Sequence, residues 1–274
     1  MRLEGRAAIV TGGGRGIGRA VALALAGEGA NVVVSARTCE EIEAVAAEIQ
    51  QTGRAAMAVQ ADLTQSADAE RVVAETVSKF GRVDILVNNA GGVPSEVYTA
   101  GGAPRMAPVL WEIPESTWDC VIAANLKTAF LCLKAVMPGM IAGRGGDIVN
   151  IVSQAGRVPY PVEGSYTTAK HAVMALTRTA ALQASPYGIR VNAVSPGLID
   201  TPGQRRLLSA MGAEESFPFM HPASYVGAAV LYVLCDAPPT MTGQSLDLFT
   251  TPVGSDGMVR VMLDRRGRDQ MAGP

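Results

Sequence analysis

Ala7-Ala8-Ile9-Val10-Thr11-Gly12-Gly13-Gly14-Arg15-Gly16-Ile17-Gly18 decides the fold class. Residues 7–10 are apolar without polar alternation, the pattern of a strand buried on both faces. A glycine-rich turn follows, and residues 17–26 (IGRAVALALA) continue as a helix. Strand, tight turn and helix in that order open a βαβ unit. Glycines let such a turn bend sharply and approach a phosphate closely. The helix behind it offers unpaired N–H groups and a partial positive charge. The spacing is G-x-x-x-G-x-G at Gly12, Gly16 and Gly18, not G-x-G-x-x-G. A plain flexible turn is the competing interpretation. The strand before and the helix after favour a dinucleotide pyrophosphate lined by Gly12, Arg15, Gly16, Ile17 and Gly18.

Outward from this turn, strands and helices alternate. Strands are expected at 32–35, 55–61, 83–87, 147–152, 190–195 and 244–249. Helices are expected between them: one carries Ile42, Val45, Ala46 and Ile49 at helical spacing, the next Val73, Thr76, Val77 and Phe80. Three more are expected at 118–137, 165–184 and 223–234. Repeated βα units predict an α/β fold, a Rossmann-like, doubly wound, parallel seven-stranded sheet with helices on both faces. No linker divides the chain. A single domain over 1–250 is expected, with a C-terminal tail at 251–274 as a candidate subunit interface. Stretches 92–111, 200–222 and 252–274 break the regularity.

With 274 residues, 48% of them hydrophobic, the chain supports one large core. A net charge of −2 carries no footprint for nucleic acid. No uncharged apolar run approaches the roughly 18 residues of a membrane span. Residues 1–6 lead straight into a strand without a signal-peptide core. Cys39, Cys120, Cys132 and Cys235 form no C-x-x-C pair, and only His171 and His221 could assist them. Reduced thiols, no metal site and a cytoplasmic setting follow as expectations.

The second strand ends Val34-Ser35-Ala36-Arg37, without the acid that binds a ribose 2′-hydroxyl in NAD sites. Arg37, with Arg15 opposite, suits a 2′-phosphate instead. NADP is therefore favoured and NAD is the alternative; solvated arginines are the bland interpretation.

Tyr166-Thr167-Thr168-Ala169-Lys170 puts a phenol and an ammonium on one helical face. A free tyrosine has a pKa of about 10, and a nearby cation lowers it toward the range of useful proton transfer. Ser153, after the strand at 147–152, falls at a carboxyl end of the sheet, where a hydroxyl can bond an oxygen on which charge develops. Asn125 is a poor helix former among apolar neighbours. In isolation, a packed tyrosine with a solvated lysine is the better explanation of the first pair, and a turn-capping serine and a satisfied core amide are the bland alternatives for the other two.

Taken together, the motifs resemble those of the short-chain dehydrogenase/reductase family, in its compact single-domain branch with 3-oxoacyl-carrier-protein reductase-like members. They are Thr11-Gly12-x-x-x-Gly16-x-Gly18, Asp62-Leu63, Asn88-Asn89-Ala90-Gly91, Asn125, Ser153, Tyr166-x-x-x-Lys170, and Pro196-Gly197 with Ile199 and Thr201. Their order and spacing match from about residue 5 to residue 249. The resemblance implies Tyr166 as proton donor or acceptor and Lys170 as its pKa modifier and holder of the nicotinamide ribose. It implies Ser153 as polariser of the substrate oxygen and Asn125 as holder of a relay water. Asp62, beside Leu63, would meet adenine; Asn89, Ala90 and Gly91 would line the adenosine ribose. Ile199 and Thr201 would contact the carboxamide and orient the ring, with Pro196 and Gly197 also among the cofactor-binding residues. A homotetramer or homodimer is implied. The ending Asp247-Leu248-Phe249-Thr250-Thr251-Pro252 departs from the family's glycine pair, which puts the usual subunit packing in question.

Stretches 92–111, 154–164 and 200–222 are expected to frame the substrate. Met106, Leu110, Trp111, Val158, Tyr160, Phe217, Phe219 and Met220 favour a moderately apolar ketone or secondary alcohol. Arg105, Arg157, Arg205 and Arg206 offer an anionic handle as the alternative. An NADP-dependent oxidoreductase acting on carbonyls or alcohols competes with an NAD-linked alcohol dehydrogenase. It also competes with a non-catalytic dinucleotide-binding sensor or partner module and with a nucleotide-sugar epimerase or dehydratase. The set Ser153, Tyr166 and Lys170 favours the first.

Overall fold

A computed structural model describes residues 1–93, 108–159, 164–210 and 220–248. Seven parallel strands form one sheet in the order β3-β2-β1-β4-β5-β6-β9. They are β1 (Ala7–Thr11), β2 (Asn31–Ala36), β3 (Ala56–Gln60), β4 (Ile85–Asn88), β5 (Gly146–Ile151), β6 (Ile189–Pro196) and β9 (Ser245–Leu248). The helices are α1 (Gly16–Gly27), α2 (Cys39–Gln51), α3 (Ser66–Phe80), α4 (Glu115–Ile122), α5 (Thr128–Ala142), α6 (Gly164–Ala184), α7 (Pro202–Ala210) and α8 (Ser224–Leu231). The expected seven-stranded doubly wound sheet is present, with strand ends moved by one or two residues.

Side chains alternate across each strand, so each sends residues into two cores. Val32 and Val34 join Val10, Leu25, Ile42 and Val230 beneath α1, α2 and α8. Val33 joins Ile9, Leu86, Ile148, Val72, Val136 and Met140 beneath α3 and α5. This double burial is why the strand runs read as continuously apolar.

At the amino edge of the sheet, Asp147 accepts from Arg6 Nη2 at 2.6 Å and Arg190 Nε at 2.8 Å. Asp84 there pairs with Arg82 at 2.6 Å and accepts the Ala7 N–H at 2.9 Å. Opposite charges at that edge thus hold β1, β5 and β6 together.

Three elements differ from expectation. The helix expected at 118–137 runs Glu115–Ala142 and is interrupted by a π turn at Ala123–Lys127. This run has the length and hydropathy of a membrane span, although Glu115, Asp119, Lys127 and Lys134 punctuate it. Val121, Leu131, Cys132, Val136 and Met140 along it are buried in the fold. Stretch 200–222, expected to be irregular, contains α7 and a two-stranded ribbon, β7 (Ile199–Asp200) with β8 (His221–Pro222). Pro202-Gly203 looks like a break in sequence, yet proline is well suited to the first turn of a helix. Thr201 Oγ1 caps it by accepting the Gln204 N–H at 3.0 Å. Helix α8 continues as a π turn, Tyr232–Asp236. Tail 251–274, and Met106, Tyr160, Phe217, Phe219 and Arg105, lie outside the described residues.

Candidate active site

In this strand order the chain reverses direction between β1 and β4, and the carboxyl ends of those strands bound a crevice. Two motifs are sewn together there. Thr11 Oγ1 accepts the N–H groups of Asn89 and Ala90, each at 2.9 Å. Asn89 Nδ2 donates to Thr11 O at 2.9 Å and Gly12 O at 3.1 Å. The Asn89 amide is spent on the turn.

Gly12 has φ +61° and Gly16 φ +53°, which L side chains rarely adopt. A Cβ on Gly18 would strike the Gly12 carbonyl oxygen and come within 2.6 Å of Asn89 Nδ2. Helix α1 begins without a side-chain cap or an acidic residue in its first turn. Its first N–H groups are left for an anion. Gly18→Ala is expected to raise the dissociation constant for NADPH at least about tenfold, because the turn must deform. Fluorescence titration checks this, and unaltered affinity would show that the turn does not carry the cofactor.

Arg37 is exposed, and its side chain has no partner among the described residues. Arg15 Nη1 makes only a long pair with Glu41 Oε1, at 3.4 Å. Asp62 Oδ1 accepts from Thr64 N at 3.1 Å and Thr64 Oγ1 at 2.8 Å, leaving Oδ2 for an adenine amino group. The Leu63 side chain is buried with Val72 in the core. An exposed arginine, an uncapped helix and a cradle with no room for Cβ atoms together fit a dinucleotide.

Lys170 is 5% exposed, and its Nζ donates to Ile151 O at 3.0 Å. Nζ also lies 5.6 Å from the centre of the Tyr166 ring, so phenol and ammonium share a face as the spacing requires. Burial pushes the Lys170 pKa down to about 8. Ser153 stands two residues past Ile151, so lysine and serine meet at one strand end. Ser153 Oγ accepts the Ala155 N–H at 3.1 Å, which makes it a turn cap with its own proton left to donate.

Asn125 is buried in the π turn, and its amide is fully engaged. Nδ2 donates to Gly92 O at 2.8 Å and Val121 O at 2.9 Å, and Oδ1 accepts from Gly92 N at 2.9 Å. The amide is thus occupied by Gly92 and Val121. Gly91 is required nearby, because a Cβ there would lie 2.5 Å from Asn125 Oδ1.

Ile199 is buried in the core. The methyl group of Thr201 packs over Gly16, 3.1 Å from where a Cβ would stand. The Gly197 N–H donates to Leu248 O at 2.7 Å. Two of the four arginines considered for an anionic substrate are already neutralised: Arg157 by Asp247 at 3.1 Å and Arg205 by Asp200 at 2.6 Å. Gln154, absent from the sequence-derived site, is 7% exposed, and its side-chain amide has no partner among the described residues. Its place directly after Ser153 was the one signal available. Among the described residues no cluster of three His, Cys, Asp or Glu side chains is arranged for a metal.

The family model for short chain dehydrogenases matches residues 6–212. The chain belongs to the short-chain dehydrogenase family. The dehydrogenase is 38% identical to a sorbitol dehydrogenase of Cereibacter sphaeroides over 251 residues, 91% of this chain and 92% of that one. It is 36% identical to a 3-oxoacyl-[acyl-carrier-protein] reductase of Synechocystis over 253 residues, 90% and 96% of the two chains. The solved structure of levodione reductase superposes with a TM-score of 0.83 at 30% identity, covering 90% of this chain and 97% of that one. The dehydrogenase is an NAD(P)-dependent oxidoreductase of carbonyl or alcohol groups.

Proposed function

We propose that the enzyme interconverts a neutral ketone and its secondary alcohol with NADP(H), as a cytoplasmic homotetramer or homodimer, using Ser153, Tyr166 and Lys170. Residues 1–250 form the catalytic domain, and 251–274 contribute to a subunit contact. One observation carries the active-site assignment: the Lys170 ammonium, sealed beside the Tyr166 ring and anchored to Ile151 O next to Ser153. The nicotinamide supplies or accepts the hydride. The protein's part is to hold the substrate oxygen and move one proton. Ser153 donates its hydroxyl proton as a hydrogen bond to that oxygen, where charge accumulates. Tyr166 delivers its phenolic proton to the same oxygen in reduction and takes it back in oxidation. Lys170 stabilises the phenolate by its charge. Above pH about 8 it loses that charge, so ketone reduction is expected to decline there.

Pairing of Arg157 and Arg205 supports a substrate without a carboxylate. Gln154 supports one with a second hydrogen-bonding oxygen near the reacting carbon. Preference for NADP rests on the exposed Arg37, whose side chain has no partner among the described residues, and on the absence of an acid at the end of β2. Arg37→Asp is expected to weaken NADPH binding by about one to two orders of magnitude, the worth of a charge-assisted hydrogen bond. NADH binding should change by less than about threefold, since no 2′-phosphate is present to repel. An unchanged NADPH/NADH ratio would reject the assignment. Absorbance of the nicotinamide with sorbitol, a 3-oxoacyl thioester and simple ketones, each with both cofactors, tests the activity itself.

A further inference from the structure

The turn that follows Ser153 is tied to the edge of the sheet by polar contacts that proton and hydride transfer do not use. Arg157 ends the 3-10 turn Gln154–Gly156, and its Nε donates to Asp247 Oδ2 at 3.1 Å. The other oxygen, Oδ1, accepts from Ser245 Oγ at 2.6 Å. Ser245 Oγ in turn lies 2.9 Å from Ser195 Oγ, which is fully buried in β6. Leu248 O, one residue beyond Asp247, holds the Gly197 N–H at 2.7 Å. Strand β9 thus grips the Ser153 turn through Asp247 and the Pro196-Gly197 corner through Leu248.

We infer that the Arg157–Asp247 pair is a positioning device, fixing the Ser153 turn relative to the Pro196-Gly197 nicotinamide seat by fastening both to β9. The inference rests on the active-site assignment above. The inner side of the turn is already fixed: a Cβ on Gly156 would strike Val152 Cγ1 and lie 2.8 Å from Lys170 O. Its outer end is closed by the Arg157 and Val158 N–H groups on Gln154 O, and the side-chain tie from it to the sheet among the described residues is Arg157 on Asp247. Both oxygens of Asp247 are engaged by different elements, so the carboxylate cannot turn without releasing one of them. With side-chain exposures of 34% and 27%, such a pair contributes little to global stability. Reaction rates nevertheless respond to displacements of an ångström or less. Small weight in folding with large leverage on geometry distinguishes positioning from a purely structural role.

The test uses the full chain with Arg157→Gln, Asp247→Ala, Arg157→Lys and the charge-swapped double variant Arg157→Asp/Asp247→Arg. Ketone reduction is followed with ethyl acetoacetate and NADPH, alongside NADPH titration and thermal melting. Arg157→Gln and Asp247→Ala are each expected to lose roughly tenfold in kcat. NADPH affinity should stay within about twofold and Tm within a few degrees. Arg157→Lys and the swapped pair should each recover part of the rate. Crystals of Arg157→Gln with NADP should show the Ser153–Gly197 separation altered by about 0.5 Å. Unchanged kcat in both single variants would overturn the inference. So would a loss of kcat that follows Tm or NADPH affinity. Lack of turnover by the unaltered enzyme on ethyl acetoacetate and on the wider panel would count against the active-site assignment; the crystallographic comparison still decides the positioning role.

Discussion

Tyr166→Phe is expected to lower kcat by about three orders of magnitude, within the range that a positioned acid or base contributes. The substitution keeps the ring that faces Lys170 Nζ at 5.6 Å and removes only the hydroxyl. NADPH affinity and thermal stability should therefore stay close to those of the unaltered enzyme. The hydride has nowhere productive to go if the alkoxide it creates receives no proton, and Ser153 alone, already accepting from Ala155 N, is a poor acid at neutral pH. Steady-state rates with a ketone and NADPH decide the matter. A phenylalanine variant with more than about a tenth of the normal rate would remove Tyr166 from the proton transfer.

Lys170→Met is expected to do two opposite things. Activity should fall at least about a hundredfold, because the cation beside the phenol is gone. Stability of the cofactor-free protein at pH 7 should rise. Burial holds Lys170 at a pKa of about 8, below the ordinary 10.5, so between those values the unfolded chain binds more protons than the folded one. Stability from this group accordingly increases with pH across that window, and below pH 8 the folded state carries the full penalty of a buried charge. The shift corresponds to something on the order of 3 kcal/mol. The carbonyl of Ile151, left without its donor, takes back about 1 kcal/mol of it. Urea unfolding of both proteins at pH 7 and pH 10 measures the effect. Methionine should give higher stability at the lower pH and a flatter rise toward the higher one. Parallel pH dependence in the two proteins would mean that Lys170 is not held as described.

Much of this architecture is legible in the amino-acid sequence because parallel strands with two buried faces leave an unmistakable apolar run. Residues 7–10 and 32–35 are found at once for this reason. The Tyr166–Lys170 pair is legible because helical spacing is local. Helix α7 is not, since Pro202-Gly203 reads as a break until Thr201 is seen to cap it. The π turn at Ala123–Lys127 leaves no periodic signature, so the engagement of the Asn125 amide with Gly92 is not legible in the sequence. Arg157 and Asp247 stand 90 residues apart, and no local pattern connects them. Arg157 therefore reads as a solvated cation or as one of four alternative anionic handles, and its pairing with Asp247 is visible only in the fold. Leu63, adjacent to Asp62 in sequence, points into the core instead of following its neighbour.

Charge is distributed unequally between the two rims of this sheet. Around Asp147 and Asp84 every formal charge is answered within 3 Å by a fixed partner. Among the described residues, the opposite rim keeps an unanswered guanidinium on Arg37 and an ammonium on Lys170 that donates to a neutral carbonyl. Hardening this catalyst for use at elevated temperature should therefore begin at the silent rim, where tighter ion networks interfere with no step of turnover, and leave the loaded rim alone.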